Sequence, residues 1–406
     1  MTKNKLKVGI LRETKTPPDR RVAVTPEIAI KLIQIFPDVE LSVQSSDLRC
    51  FAAEEYIKAG IAVVDDISQC DILIGVKEVD IPALIPDKTY LFFSHTAKEQ
   101  PYNRKLLQEI VQKKITLIDY EYLTNVQNQR LVAFGRWAGI VGAYNGLRAW
   151  GLRCKSYDLK PANQCHDLDE MFNELKKVKL PPIKILVTGG GRVANGAMET
   201  LAPLEYQVVS ADEFLHSEFS EPVICRIDPD QYVERKNGTP FDLNHFFKYP
   251  AEYKSTFYPY TKVADLFIPC HFWDPASPVF MTEEDMKEPD FRMQVIADVS
   301  CDIKDPIPST LRASTIADPI YGYDPHTGHE TPPFKDGSIT VMAVDNLPGE
   351  LPRNASEDFG QALLDNVYPS LFGKDSENII KRATIVEKGK LTDLFAYLEN
   401  YLTGNE

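Results

Sequence analysis

Short, nearly unbroken apolar runs alternate with helix-patterned stretches along almost the whole chain, and this alternation limits the possible folds more than any other feature. Residues 7–11 read as a buried strand. Residues 26–35 read as a helix, with Thr25 as N-cap and Pro26 at its first position. Further strand-like runs lie at 39–43, 61–64, 71–77, 90–94 and 115–118. Strands this apolar are buried on both faces, which calls for a mostly parallel sheet with helices on either side. The expected class is therefore α/β.

A second alternating block starts at Ile183, with expected strands at 183–188, 206–209, 264–268, 294–299 and 339–344. Between the blocks, residues 134–152 carry Ala138, Gly139, Gly142, Ala143 and Gly146 without a proline. This reads as a helix packed closely on another backbone, and as a connector between domains. A capping-box pattern at 167–170 marks a short helix. About fifty residues after Val209 show few regular signals and are read as an insertion, at about 213–263, because βα connections are normally far shorter. Residues 315–333 read as irregular and 356–371 as a helix.

The second block opens on a glycine-rich turn. The run 185–188 leads into Gly189-Gly190-Gly191-Arg192-Val193-Ala194, a G-x-G-x-x-A pattern between a strand and a helix. In a dinucleotide site Gly189 makes the tight turn and Gly191 admits the pyrophosphate. Ala194 lets the helix pack closely on the strand, and the helix N-terminus faces the phosphates. The pattern expects an acid about twenty residues on, to bind the ribose, and Asp212 stands there.

Charge separates the partners. The net charge is −14, which argues against nucleic acid and anionic membranes. No apolar run is long enough to cross a bilayer, and the N-terminal run 8–11 is too short for a signal peptide. Seven scattered cysteines without a C-x-x-C suggest neither a disulfide framework nor a metal site, and point to a reducing cytoplasmic setting. Residues 1–25 nevertheless carry a net +5. Lys3, Lys5 and Lys7 read as a solvated face. Arg12, Lys15 and Arg21 follow the first strand, at the edge where α/β sheets bind ligands, and suggest an anionic, carboxylate-bearing ligand. Lys77 and His95 also stand at the carboxyl ends of expected strands. A desolvated lysine can act as a base, and a histidine can pass protons in either direction.

Several runs carry a family resemblance. Leu11-Arg-Glu-Thr-Lys15 and Arg21-Val-Ala-Val-Thr-Pro26 resemble the opening of the alanine dehydrogenase and transhydrogenase superfamily. Gly75-Val-Lys-Glu78, Phe92-Phe-Ser-His-Thr-Ala-Lys98, Leu117-Ile-Asp-Tyr-Glu121 and Val132-Ala-Phe-Gly-Arg-Trp-Ala-Gly139 resemble its lysine-forming saccharopine dehydrogenase and lysine–ketoglutarate reductase branch. So do Ala297-Asp-Val-Ser300 and Asp345-Asn-Leu-Pro-Gly-Glu-Leu-Pro352, and the likeness runs from about residue 7 to 370.

The resemblance implies two Rossmann-like, doubly wound domains with mostly parallel sheets and an active-site cleft between them. A substrate domain would take residues 1–136 and 349–406, and an NAD(P)-binding domain 137–348. Lys77 matches a proton-accepting lysine and His95 an acid–base histidine. Arg21 and Arg130 match carboxylate-holding arginines, and Lys15 and Glu121 match residues that tune the charge around the substrate. Asp298, Asp345, Asn346 and Leu347 match positions near the nicotinamide end. Val193 stands where fungal members have a cysteine that pairs with one matching Cys270, so that disulfide cannot form here. The implied reaction is the reversible conversion of saccharopine to L-lysine and 2-oxoglutarate with NAD or NADP. An alanine dehydrogenase-like activity and a non-catalytic NAD(P)H-binding protein are the alternatives. The sequence leaves cofactor choice, physiological direction and oligomeric state open.

Overall fold

The computed structural model describes residues 5–404, so Lys3 lies outside the described residues. The chain divides into two compact units, Met1–Phe134 with Pro352–Glu406, and Gly135–Leu351.

The first unit is built on an eight-stranded sheet. Its parallel strands are β1 (Leu6–Ile10), β2 (Val39–Gln44), β3 (Ala62–Val64), β4 (Ile72–Ile74), β5 (Thr89–Phe92) and β6 (Thr116–Asp119). They lie in the order β6-β5-β4-β1-β2-β3, and Thr384–Glu387 and Lys390–Leu391 extend the β6 edge antiparallel. Every residue of β4 is buried, as expected of a strand covered on both faces. The covering helices include α1 (Pro26–Ile35), α2 (Ala53–Lys58), α3 (Arg104–Gln112) and the helix Pro352–Asn366. Thr25 caps α1 by accepting from the Ile28 amide.

The second unit starts with α4 (Gly135–Cys154), followed by the short α5 (Leu168–Glu174). Then come β7 (Lys184–Thr188), α6 (Arg192–Leu201), β8 (Gln207–Val208), α7 (Ala211–His216) and β9 (Val223–Ile227). A two-stranded ribbon, β10 (Val233–Arg235) with β11 (Tyr253–Ser255), stands outside the main sheet. The rest are β12 (Leu266–Pro269), β13 (Val295–Ala297), β14 (Ile320–Asp324), β15 (His329–Thr331) and β16 (Ile339–Met342). The main sheet runs β15-β14-β16-β13-β12-β7-β9-β8, parallel except for β14 and β15.

Two sequence expectations need correction here. The stretch read as an insertion supplies β9, which lies between β7 and β8 in the main sheet. Its run is interrupted by an arginine, so it stands out weakly. Prolines 222 and 229 bracket it and were the available signal. The stretch 315–333, read as irregular, forms the β14–β15 hairpin at the sheet edge.

The glycines of α4 serve close approach. A Cβ on Gly139 would stand 1.8 Å from the Val193 carbonyl oxygen, and one on Gly196 would stand 2.0 Å from the Arg136 carbonyl oxygen. Helices α4 and α6 therefore meet backbone to backbone, and α4 holds in place the helix that follows the glycine turn.

Candidate active site

In the first unit, the segments after β1, β4 and β5 bring charged side chains together. Glu13, beyond β1, accepts the amides of Val76 and Lys77 at 2.7 and 2.8 Å, which fixes the chain carrying Lys77. Burial raises the Glu13 carboxyl to about 7, against the lowering effect of those two amides. Lys15 Nζ lies 2.7 Å from Glu78 Oε2, and Glu78 Oε1 lies 2.5 Å from His95 Nδ1. Glu78 is thus a bridge between the two. Burial pushes its carboxyl up, but the hydrogen bonds from His95 and Lys15 win and bring it down to about 2. With Nδ1 held by Glu78, Nε2 is the His95 nitrogen left to exchange protons with a substrate.

Lys77 is half-buried, and its side chain has no hydrogen bond or ion pair among the described residues. Burial lowers its pKa, and the charges of Arg21 and Lys15 lower it further. An unpaired lysine in cationic surroundings is suited to give up and retake a proton.

Arg21 is paired within its own turn. It is 2% exposed, and its Nε and Nη2 bind Asp19 at 3.0 and 2.6 Å. Its guanidinium also lies over the Phe134 ring at 4.1 Å. A buried guanidinium requires such a partner, and its charge lies near Lys77.

Arg130 is different, at 41% side-chain exposure, 3.7 Å from Glu121 Oε1. Lys98 approaches the same oxygen at 3.2 Å, while Glu121 Oε2 is buried without a hydrogen-bond partner. Asp119, fully buried, accepts the Ser94 amide and hydroxyl and the Glu121 amide. One carboxylate therefore ties the turn carrying His95 to the turn carrying Glu121. Glu78, Asp119 and Lys98 were all missed as site residues, although each lies inside a motif that was recognised.

In the second unit, the turn after β7 has the form a dinucleotide needs. Gly189 has φ +105°, and a Cβ there would stand 2.8 Å from the Cys270 carbonyl oxygen. Gly191, the N-cap of α6, offers no side-chain cap, and a Cβ on it would meet nothing within 4 Å. The N-terminus of α6 is thus without a side-chain cap and open at Gly191, which suits a phosphate site. Arg192 is exposed, Val193 is half-buried and Ala194 is buried in the α4–α6 seam.

Asp212 does not stand at the end of a central strand. It lies on α7, with its side chain 89% exposed and 3.1 Å from His216. The reason is topological, because β9 rather than β8 is the neighbour of β7. The acid at the carboxyl end of that neighbouring strand is Asp228, missed because it stands well beyond the expected spacing. A Cβ on Gly190 would come 2.7 Å from its Oδ1, and that oxygen is buried without a hydrogen-bond partner. An orphaned carboxylate oxygen beside an open helix N-terminus fits a bound nucleotide.

The remaining expected residues divide. Asp298 and Asp345 follow β13 and β16, on the sheet edge that carries the glycine turn. The Asp298 carboxylate is fully buried and accepts from Ser300, Cys301 and Thr310, so it organises a loop rather than facing a ligand. Asp345 is exposed and Asn346 half-buried. Leu347 is buried against α4, where a Cβ on Gly142 would stand 3.3 Å from its Cδ1.

Residues 9–141 match the family model described as "Alanine dehydrogenase/PNT, N-terminal domain". The chain is 28% identical to alpha-aminoadipic semialdehyde synthase of Arabidopsis thaliana, covering 98% of this chain and 42% of that protein. It is 27% identical to the mitochondrial synthase of Rattus norvegicus, covering 98% and 48%. The chain therefore spans less than half the length of these relatives. Against the saccharopine dehydrogenase [NAD(+), L-lysine-forming] of Emericella nidulans it is 28% identical, covering 92% of this chain and 93% of that one. A solved L-alanine dehydrogenase shares the fold, with TM-score 0.65 at 15% identity over 98% of this chain and 99% of that one. The chain is thus similar over residues 9–141 to the alanine dehydrogenase/PNT N-terminal domain, and over nearly its whole length to aminoadipic semialdehyde synthases and saccharopine dehydrogenases.

Proposed function

We propose that this chain is a nicotinamide-dependent oxidoreductase that interconverts saccharopine with L-lysine and 2-oxoglutarate. The observation that carries the reading is the unpaired, half-buried Lys77 beside the Lys15–Glu78–His95 chain. Relatives named for saccharopine dehydrogenase and aminoadipic semialdehyde synthase support the substrate class. Arg130 and Lys98, both partly exposed, suit substrate carboxylates.

The residues of the Gly189–Ala194 turn would hold the dinucleotide, which supplies the hydride acceptor when bound. Lys77 Nζ takes the N–H proton from the secondary amine of saccharopine as the adjoining glutaryl carbon loses the hydrogen of its C–H bond as hydride. The imine nitrogen takes that proton back from Lys77 as water adds to the carbon, and His95 Nε2 removes a proton from the water. The same nitrogen returns its proton to the amine nitrogen as the C–N bond breaks, and the carbinolamine hydroxyl passes its proton to Lys77 Nζ, leaving lysine and the 2-oxo acid. Glu78 holds the imidazole by Nδ1 through both transfers, and the Arg21–Asp19 pair keeps a fixed charge balance near Lys77.

The test mixes purified protein with L-lysine, 2-oxoglutarate and NADH or NADPH, and follows loss of the reduced-nicotinamide absorbance. Turnover with saccharopine as the product supports the reading. Turnover only with pyruvate and ammonia, or cofactor binding without turnover on any of these substrates, refutes it.

A further inference from the structure

We infer that Arg148 and Glu350, which line one polar cavity beside α4, bind the carboxylate of a small molecule. The cavity belongs wholly to the second unit, whereas Lys15, Lys77, Glu78 and His95 belong to the first. The inference therefore stands apart from the proposed reaction.

The cavity has a volume of about 210 Å³, and its lining includes Asn145, Arg148, Asn163, Gln164, Pro319 and Glu350. Sites for drug-sized ligands run to roughly 300–1,000 Å³, so the occupant here is small. Arg148 donates from Nε to the Leu159 carbonyl at 2.9 Å, while Nη1 and Nη2 have no hydrogen-bond partner among the described residues. Its side chain is only 18% exposed, so this pair of donors is largely withdrawn from water. Two parallel guanidinium donors match the two oxygens of a carboxylate. Asn145 Nδ2 donates to Glu350 Oε1 at 2.8 Å, and the Asn163 amide donates to the same carboxyl. Burial pushes that carboxyl up to about 7, so below this pH it carries a proton and adds a donor of its own. With Glu350 neutral, the Arg148 charge is left for an anion to balance.

The other charged groups around Glu350 are engaged elsewhere. Asp158 lies 3.7 Å from Arg148 Nε but is 68% exposed, so solvent screens it. Lys160 is tied to Glu170 at 2.5 Å, and Asp318 approaches Arg312 at 3.9 Å. A carboxylate should therefore bind while Glu350 is protonated and be repelled once it ionises.

The experiment titrates ¹³C-carboxyl-labelled propionate by NMR into the wild-type chain and the E350Q and R148M variants, at pH 6 and pH 8. Wild type should bind at pH 6 and lose about tenfold in affinity by pH 8, where a group titrating at about 7 is about nine-tenths ionised. E350Q should match wild type at pH 6 within about threefold and keep that affinity at pH 8. R148M should lose about tenfold or more at pH 6, the loss expected for hydrogen bonds to a charged group. Propionate held by other arginines is common to all three proteins and cancels in the comparison. Wild type without saturable binding at pH 6, E350Q that weakens with pH as wild type does, or R148M that binds as wild type does each overturns the inference. Tryptophan-monitored unfolding checks that the variants are folded. Should R148M not fold, the comparison of wild type with E350Q decides alone.

Discussion

Glu350 offers a direct test of the electrostatics of the second unit. It is 3% exposed, and its Oε1 accepts a 2.8 Å hydrogen bond from Asn145. Burial raises its carboxyl from about 4.5 to about 7, against lowering by hydrogen bonds from Asn145 and Asn163 and by the charge of Arg148. The folded state therefore keeps a proton that the unfolded chain releases near 4.5. This contribution to stability is fully present below pH 4.5 and is lost as pH rises through about 7. At about 1.36 kcal/mol per pH unit, the gap of about 2.5 units corresponds to about 3 kcal/mol. Glu350→Gln keeps the Oε1 acceptor and removes the ionisation. All three tryptophans, Trp137, Trp150 and Trp273, lie in the same unit, so their fluorescence reports its unfolding alone. In urea, wild type and variant should agree at pH 4 and separate steadily from pH 4.5 to 7. Above pH 7 the variant should be more stable by about 3 kcal/mol, roughly 1 M in urea midpoint for an m-value near 3 kcal/mol/M. Other raised carboxyls of this unit, such as Asp302, titrate in both proteins and cancel in the difference. Parallel pH curves for wild type and variant would show that Glu350 is ionised in the folded protein.

Three further outcomes follow from the geometry. Gly139→Ala places a methyl 1.8 Å from the Val193 carbonyl, so tryptophan-monitored unfolding should show a loss of about 3 kcal/mol or more; a midpoint within error of wild type would contradict the close α4–α6 seam. Lys77→Met should lower kcat by about 100-fold or more while NADH affinity measured by fluorescence stays the same, and retention of more than a tenth of the turnover would remove Lys77 from the mechanism. Glu78→Gln should lower kcat by about 10- to 100-fold through its hold on His95, and should also destabilise the protein. Because the Glu78 carboxyl is depressed to about 2, its stabilisation is present above about 4.5 and is lost as pH falls through 2. Denaturation midpoints of wild type and variant should therefore converge in acid, and an equal gap at every pH would contradict the pairing.

What could be read from the sequence was what is encoded locally. The glycine turn stands in register with its strand and helix, so Gly189, Gly191 and Ala194 sit as their spacing suggests. Lys77 and His95 follow strand ends because apolar runs mark strands and the charged residue marks where they stop. The pairing of Arg21 was not legible because a sequence shows a charge without its partner, here Asp19 two residues away. The place of Asp212 was not legible because strand adjacency is not local, and one inserted strand changes which acid stands beside the turn. Glu78 and Asp119 went unassigned because their work is done through His95, Lys15, Ser94 and Glu121, not through a pattern of their own.

The position of β9 also orders assembly in time. β8 pairs only with β9 in the sheet, so β7, α6 and β8 cannot close into a paired unit as they leave the ribosome. Some fifteen residues after Val208 must emerge before its partner exists, and until then β8 is an unpaired strand. Hydrogen exchange on stalled chains of increasing length would expose this order. Amides of β8 should stay unprotected in chains ending before Val223 and gain protection only once Ile227 is free to fold. Protection of β8 in the shorter chains would mean that it first pairs with β7 and is later displaced by β9.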